Sequence, residues 1–561
     1  MKTRKYLVAP LLLGAVSLAA CGGGSGDDGG DAGADQSAAQ AATSVDINAQ
    51  DRGTLAQGGE LRLAVASLAE NWNPMHVDGN EADFSDILEG MQPEYFNFDA
   101  EGVPTPNPDF LVSAEQTQAS PTVVHMVLNP KAVWGDGSPI DVDDLTATWK
   151  ACNGENTKNN CASTDGFDQI KSVEAGADKF DVTVTFKKAF PDWAQPFTEP
   201  LKAESIDDSD TFNTGWKDLK NDWLSGPYKV GEVNKSQQIL TMVPNDKWWG
   251  AKPLLDTVTW RAIAVDATAN AFVNNEIDSF DIGADANAYQ QASGVADASI
   301  RKAAGPNWRH ITVNTKAGLL ADKTIRQAVV RGLDREAIGQ SDFAGIDVPI
   351  TVLNNDIILS NQQGYQDMAE LTGIKYDPEK AKADLEAAGW VAGADGIREK
   401  DGKKLAIKFS VLDGVAAAQN EGLQTQTMLK EIGIKVDIVN VPIDKFGETL
   451  SGHSFEMIPF SWIGTQFPFA NINQLFGTGS DSNYAQLSLP EVDTLSNQIK
   501  TETNPAKRIE LANQAAKALW ENVHTIPLYQ SPGLVATKAK LANYGAIGLT
   551  NVKWTDVGFQ K

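Results

Sequence analysis

Histidine is scarce in this chain, with five residues in 561, and cysteine is scarcer, with three. His76, His125, His310, His453 and His524 form no His-Glu-x-x-His arrangement, and no pair shares helical ligand spacing, so the zinc-hydrolase pattern is excluded. Each reads as a lone structural or surface histidine. There is no Gly-x-Ser-x-Gly elbow and no Gly-x-x-x-x-Gly-Lys-Ser/Thr phosphate loop, which removes two further enzyme classes. Carboxylates are plentiful but diffuse, so spacing nominates no acid/base pair. Positive charge is short: 47 Lys and Arg face 74 Asp and Glu, for a net charge of −27. Nucleic-acid binding needs a basic footprint, and none is present. The acidic balance reads as a solvated surface. After the first 20 residues no run is long and apolar enough to span a bilayer. These absences predict no catalysis, no cofactor and no metal site.

The N-terminus carries the strongest local signal. Lys2, Arg4 and Lys5 precede an apolar stretch from Leu7 to Ala20, which ends in Leu18-Ala19-Ala20-Cys21. A basic head, a short apolar core and small residues at the cut site predict a secretory signal peptide over residues 1–20. The ending resembles the lipobox of bacterial lipoproteins, which implies acylation of Cys21 and an extracytoplasmic protein anchored to the cell membrane by lipid alone. Residues 21–58, rich in Gly, Ala, Asp, Ser and Gln, bury too little to offset ordering entropy and are expected to form a disordered tether. In an oxidising compartment Cys152 and Cys161, closing a short polar loop, are expected to form a disulfide.

The body alternates strand and helix signals. Residues 60–66, 123–128, 181–186, 240–243 and 258–260 read as strands. Ile325, Val329 and Leu333 form one stripe of a helix over 322–338. Asp377-Pro378 and Asn504-Pro505 start two more helices, with a side-chain cap followed by proline at the first helical position. Strand-like runs at 405–412 and 434–441 lie between them, so α/β units are predicted. The 14 tryptophans are expected mostly in cores, with some lining a cleft.

Several blocks then carry a family likeness. They are Leu128-Asn-Pro-Lys-Ala-Val-Trp-Gly-Asp-Gly-Ser-Pro-Ile-Asp-Val-Asp-Asp144, Gly226-Pro-Tyr-Lys-Val230 and Val243-Pro-Asn-Asp-Lys-Trp-Trp-Gly250. Val313-Asn-Thr-Lys316, Ile325-Arg-Gln-Ala328, Ala388-Gly389-Trp390, Gly433-Ile-Lys-Val-Asp437 and His524-Thr-Ile-Pro-Leu-Tyr529 follow in order. Together they resemble family 5 of the extracellular solute-binding proteins, the dipeptide, oligopeptide and nickel-binding receptors of ABC importers. The resemblance implies an α/β, two-lobed periplasmic-binding-protein-like fold of the class II type, with an extra lobe inserted in the first and a hinge between lobes. The boundaries expected are 59–105, 222–303 and 525–561 for a discontinuous lobe I, 106–221 for the inserted lobe, and 304–524 for lobe II. Arg326 reads as a helix anchor.

The expected pocket departs from the family pattern. Family peptide receptors often carry Trp-x-x-Asp, whose Asp pairs with the ligand ammonium; here Trp462 is followed by Gln466. Either another acid such as Asp444, Glu448 or Glu456 replaces it, or the ligand brings no amine to this point. Ser461, Trp462, Gly464, Thr465, Gln466 and Phe467 are expected in the cleft, faced by Asn71, Trp72 and Asn73 from the other lobe. The reading is a monomeric, non-enzymatic receptor that captures an oligopeptide and delivers it to the membrane and ATPase subunits of an ABC importer. A metal chelate, haem, a glycan or another hydrophobic metabolite is the alternative ligand; a hydrolase or a cell-wall structural lipoprotein is the alternative class.

Overall fold

A computed structural model describes residues 45–561. The expected signal peptide, Cys21 and most of the expected tether lie outside the described residues. Among those described, no helix is long and apolar enough to cross a membrane.

One eleven-stranded sheet runs through the body. Its spine is a pair of long antiparallel strands, Ala298–Val313 and Thr525–Lys538, which cross from one lobe to the other. Their register breaks between Ala304 and Trp308. Gly305 and Pro306 occupy the break, and Pro532 lies opposite Ala304 at its edge. Proline offers no amide to a ladder, and a Cβ on Gly305 would come within 2.5 Å of the Ser531 carbonyl oxygen. The spine thus loses pairing over its longest stretch at this level, with a second, shorter shift between Arg309 and His310.

On one side of the break the spine extends through Ser279–Asp281 to Glu60–Val65, Thr257–Ala262, Ile239–Pro244 and Tyr228–Asn234, the sheet of lobe I. On the other side Met457–Ile463 pairs with the first crossing strand, followed by Ala406–Leu412 and Lys435–Val441, the sheet of lobe II. Thr525–Gln530 belongs to the lobe II half by its pairing, so the return crossing falls inside this strand, some residues past the expected boundary at 524/525.

The inserted lobe is a four-stranded antiparallel sheet in the order Leu111–Ala119, Thr122–Leu128, Asp181–Phe186, Ile170–Ala175. Strict alternation buries Val124, Met126 and Leu128 against Val182, Val184 and Phe186. Its core begins at Tyr95 and ends at Phe197. Leu201, Phe212, Trp216 and Trp223 instead pack with Leu61, Trp72 and Trp260 in lobe I, so the segment to 221 is only partly inserted-lobe material. Apolar residues decide this, because the large rings of 212–223 fill the space behind the lobe I sheet.

Two further expectations change in detail, and the reading of Arg326 holds. The helix read over 322–338 is two helices, Lys323–Gly332 and Arg335–Asp342. Leu333 is extended, and Asp334 caps the second helix by accepting from the Ala337 amide, a local bond that competes with helix continuation. Residues 45–58 are not tether. Asp46 exchanges backbone hydrogen bonds with Ala546 at 2.8 and 3.0 Å, and Leu55 is buried with Leu254 and Ala542. A single apolar anchor with paired backbone is enough to hold a polar segment down. Arg326 donates to the carbonyls of Leu320, Ala321 and Asn522, tying its helix to the one that ends at Asn522.

Cys152 and Cys161 are joined in a disulfide with Cα atoms 5.8 Å apart, and Cys152 is buried in the lobe I core. Replacing Cys161 with Ser is expected to destabilise the protein by about 2–3 kcal/mol, the entropy of a short closed loop. Urea denaturation under oxidising conditions checks this; an unchanged midpoint would show that the bond constrains nothing.

Candidate functional site

The lobe II wall of the site grows from Met457–Ile463. Its register places Phe460, Ser461 and Trp462 opposite His310, Arg309 and Trp308 of the first crossing strand. On its other edge this strand pairs with Ala406–Leu412 only at Met457, which leaves the 461–463 end without a strand neighbour there. Trp462 is partly buried and lies parallel to Tyr484 at 5.9 Å and to His310 at 6.2 Å, with Phe460 edge-on at 5.2 Å. Offset parallel and edge-on rings at these distances hold one another's orientation. His310 is fully enclosed; burial and the Arg309 guanidinium hold its imidazole well below the usual histidine range, so it serves this stack as a neutral ring.

After Ile463 the chain turns out of the sheet. The Gly464 amide donates to the Pro306 carbonyl at 2.8 Å, and a Cβ there would meet Leu359 at 2.6 Å. Gln362 donates to the Thr465 carbonyl at 2.8 Å. The loop then reaches across the molecule: the Gln466 amide donates to the Leu549 carbonyl at 3.2 Å, and Phe467 meets Phe98 edge-on at 5.8 Å. Asn361 of lobe II donates to the Ala100 carbonyl at 3.2 Å. Arg508 grips Asp192 of the inserted lobe with both guanidinium NH groups. These contacts describe a closed arrangement, in which Gln466 is a strut between lobes.

Asn71, Trp72 and Asn73 do not face Trp462. All three are buried in lobe I: Asn71 donates to the Asn213 carbonyl at 3.1 Å, Asn73 to that of Phe212 at 2.9 Å, and the Trp72 amide to that of Trp216 at 2.9 Å. Their polar atoms are spent fastening a loop, the ordinary use of Asn in a turn. Glu448 pairs with Lys445 at 3.1 Å, and Glu456 accepts from the Lys408 amide at 2.7 Å, so neither stands in for the missing Asp. The Asp444 side chain lies outside the described residues.

The acids come from lobe I instead. Asp83, Asp86 and Glu89 recur every three residues on the helix Ala82–Glu89, and Asp281 and the Tyr544 ring lie near them. Asp86, Asp281 and Glu199 keep exposed surface, yet burial pushes Asp86 up to about 6 and raises Asp281 and Glu199 as well. Surrounding protein atoms disfavour the charged form of such a carboxyl even where part of it keeps solvent contact. Glu89 is pushed up to about 8 by burial, against the hydrogen bonds it accepts from the Val552 amide and the Trp554 indole. The row continues through Glu94 to Glu199. The three-residue spacing of 83, 86 and 89 was visible in the sequence as a stripe; Glu199 and Asp281 join it only through the fold.

These raised groups set a pH dependence. Glu89, and Asp356, which burial pushes up to about 7 in lobe II, hold protons in the folded chain that the unfolded chain has released. Their contribution is therefore complete below the ordinary carboxylate range and is lost as pH rises through 7 and 8. His310 and His524 are held neutral by burial and act in the opposite sense, but only below the ordinary histidine range. The ligand-free protein is thus expected to lose thermal stability between about pH 6.5 and pH 8.5. A Tm that rises across that window in scanning calorimetry would contradict the assignment.

Comparison with known proteins agrees with this architecture. The family described as bacterial extracellular solute-binding proteins, family 5, matches residues 64–484. The oligopeptide-binding protein OppA of Mycobacterium tuberculosis is 33% identical over 560 residues, covering 99% of this chain and 93% of that protein. Among solved structures, the periplasmic EDTA-binding protein EppA superposes with a TM-score of 0.84 at 24% identity, over 93% of this chain and 99% of its own. AppA from Bacillus subtilis, in complex with a nonapeptide, superposes at 0.72 with 21% identity, over 90% and 100%.

Proposed function

The chain belongs to the bacterial extracellular solute-binding proteins of family 5, and from that premise we propose that it captures oligopeptides outside the cytoplasm and delivers them to an ABC importer. It acts as a monomer, tethered to the membrane through lipid on Cys21. The observation that carries the ligand class is the pairing of two unlike walls. Lobe II offers the strand end at 461–463, where an extended peptide can add as a further strand and bond through its backbone. Lobe I offers Asp86 and Asp281, which supply the negative charge that Gln466 does not, so an α-ammonium or a basic side chain turns toward lobe I. The interlobe contacts at Gln466, Phe467 and Arg508 then enclose the ligand by closure of one lobe on the other.

The likeness to an EDTA-binding protein favours a second reading, an anionic chelate or similar metabolite. The acidic wall argues against it, because a polycarboxylate placed beside Asp86 and Asp281 meets like charge in a poorly solvated cleft. Native mass spectrometry of protein purified from its own host separates the two. A heterogeneous set of peptides is expected; a single coloured or metal-containing adduct would overturn the peptide reading. Cys21→Ser is expected to release the protein from the membrane fraction.

A further inference from the structure

The acidic row does not end at the cleft. Beyond Glu89 it enters a cavity of about 510 Å³ between lobe I and the inserted lobe, lined by Glu89, Gln92, Glu94, Asp109, Trp248 and Trp554 among others. This is the size of a small-molecule compartment. Gln92 is 2% exposed, and neither atom of its side-chain amide has a hydrogen-bond partner; the same holds for Glu94 Oε1. A buried amide without partners is costly, so this side chain marks a place where a polar partner would be met.

The charges around it are of one sign. Burial, then the carboxyls of Glu89 and Glu199, push Glu94 well above the ordinary carboxylate range. The cation at the rim, Lys553, pairs with Asp556 at 2.7 Å and acts on Asp109. Among the described residues no group of three or more His, Cys, Asp or Glu is placed to hold a metal ion, so the acids are too dispersed for one small cation. A planar organic cation fits better: guanidinium spreads five donors over its edge and stacks its face on an aromatic ring.

We propose that this cavity is a side-chain compartment for a basic residue of the bound peptide, arginine above all, with Glu94 and Gln92 as its recognition groups and a Trp248 or Trp554 wall. The inference rests on the peptide reading above. Phe98, which also lines the cavity, touches Phe467 of the lobe II loop, so the cavity wall is in contact with the loop that follows Trp462. Glu94 accepts the guanidinium as a carboxylate, releasing its proton, and the Gln92 oxygen accepts a further N–H.

The test is calorimetry with tetra-alanine and with tetrapeptides in which one arginine is moved through the four positions. At least one arginine position is expected to bind roughly tenfold or more tighter than tetra-alanine. Proton release should appear as a heat that depends on the buffer. In Glu94→Gln, and separately in Glu199→Gln, the advantage of arginine should shrink toward parity. If tetra-alanine binds and no arginine position exceeds it, the compartment is wrong and the receptor reading stands. If no peptide binds, the receptor reading fails, and arginine amide decides the cavity by itself. A change in tryptophan fluorescence on its addition, abolished by Glu94→Gln, supports a cation site, and an unchanged spectrum overturns it.

Discussion

Glu421→Ala lowers the stability of lobe II by about 3–5 kcal/mol, the loss expected when one partner of a buried ion pair is removed. Arg309 lies in the first crossing strand and is 9% exposed; Glu421, on the helix Ala416–Glu431, is 0% exposed. The guanidinium donates to both carboxylate oxygens at 2.7 Å. Burial pushes the Glu421 carboxyl up and Arg309 pulls it back, while Glu421 in turn raises Arg309. Remove the carboxylate and the guanidinium remains in the interior without its bidentate partner, with only the Asp342 carboxyl left as a compensating charge. The double replacement Arg309→Met with Glu421→Leu is expected to lose much less, because neither charge is then stranded. Urea denaturation of the two singles and the double completes the cycle. A double whose loss equals the sum of the losses in Arg309→Met and Glu421→Leu would show that the pair carries no coupling. A functional effect follows, since Arg309 stands opposite Ser461 and any shift there moves the strand that presents Trp462.

Trp462→Ala weakens ligand binding by about 2–4 kcal/mol, roughly 30- to 1,000-fold. The ring is held from three sides by Tyr484, His310 and Phe460, so its orientation is set before a ligand arrives and little side-chain entropy is lost on binding. Trp462→Phe keeps a smaller platform and should recover part of the loss. Calorimetry with a peptide eluted from the native protein measures both. An affinity unchanged in Trp462→Ala would remove this residue from the site and with it the lobe II wall. Trp520, buried in the lobe II core with its indole bonded to the Ile374 carbonyl at 3.0 Å, provides the contrast. Its replacement should lower stability through packing, with no specific effect on the ligand contact.

Much of the scaffold could be read from neighbouring residues. Asp377 with Pro378 and Asn504 with Pro505 start helices where expected, each cap accepting from the amide three residues on. The strand at 181–186 follows its alternation, and the apolar run at 434–441 forms a strand over Lys435–Val441. The break at Asp334 is not legible in the stripe, because Leu333 keeps the spacing of Ile325 and Val329 although it already lies outside the first helix, and only the Asp334 cap marks the restart. Asn71 and Asn73 were assigned to the cleft because polar residues after a first strand suit a ligand wall. In the fold their amides meet carbonyls about 140 residues away.

The sequence by itself determined the strand and helix punctuation, the family resemblance and the absence of a carboxylate at 466. These rest on short-range chemistry: caps, turns, alternation and the residue type at one position. Only the tertiary structure decided what Gln466 does and which acids gather beside the lobe I helix. Gln466 reaches Leu549, 83 positions away, while Asp86, Glu89, Glu199 and Asp281 converge from three separate segments. Desolvation and like-charge coupling depend on distance in space, and a chain folded through two crossing strands brings together groups whose separation in sequence carries no trace of it.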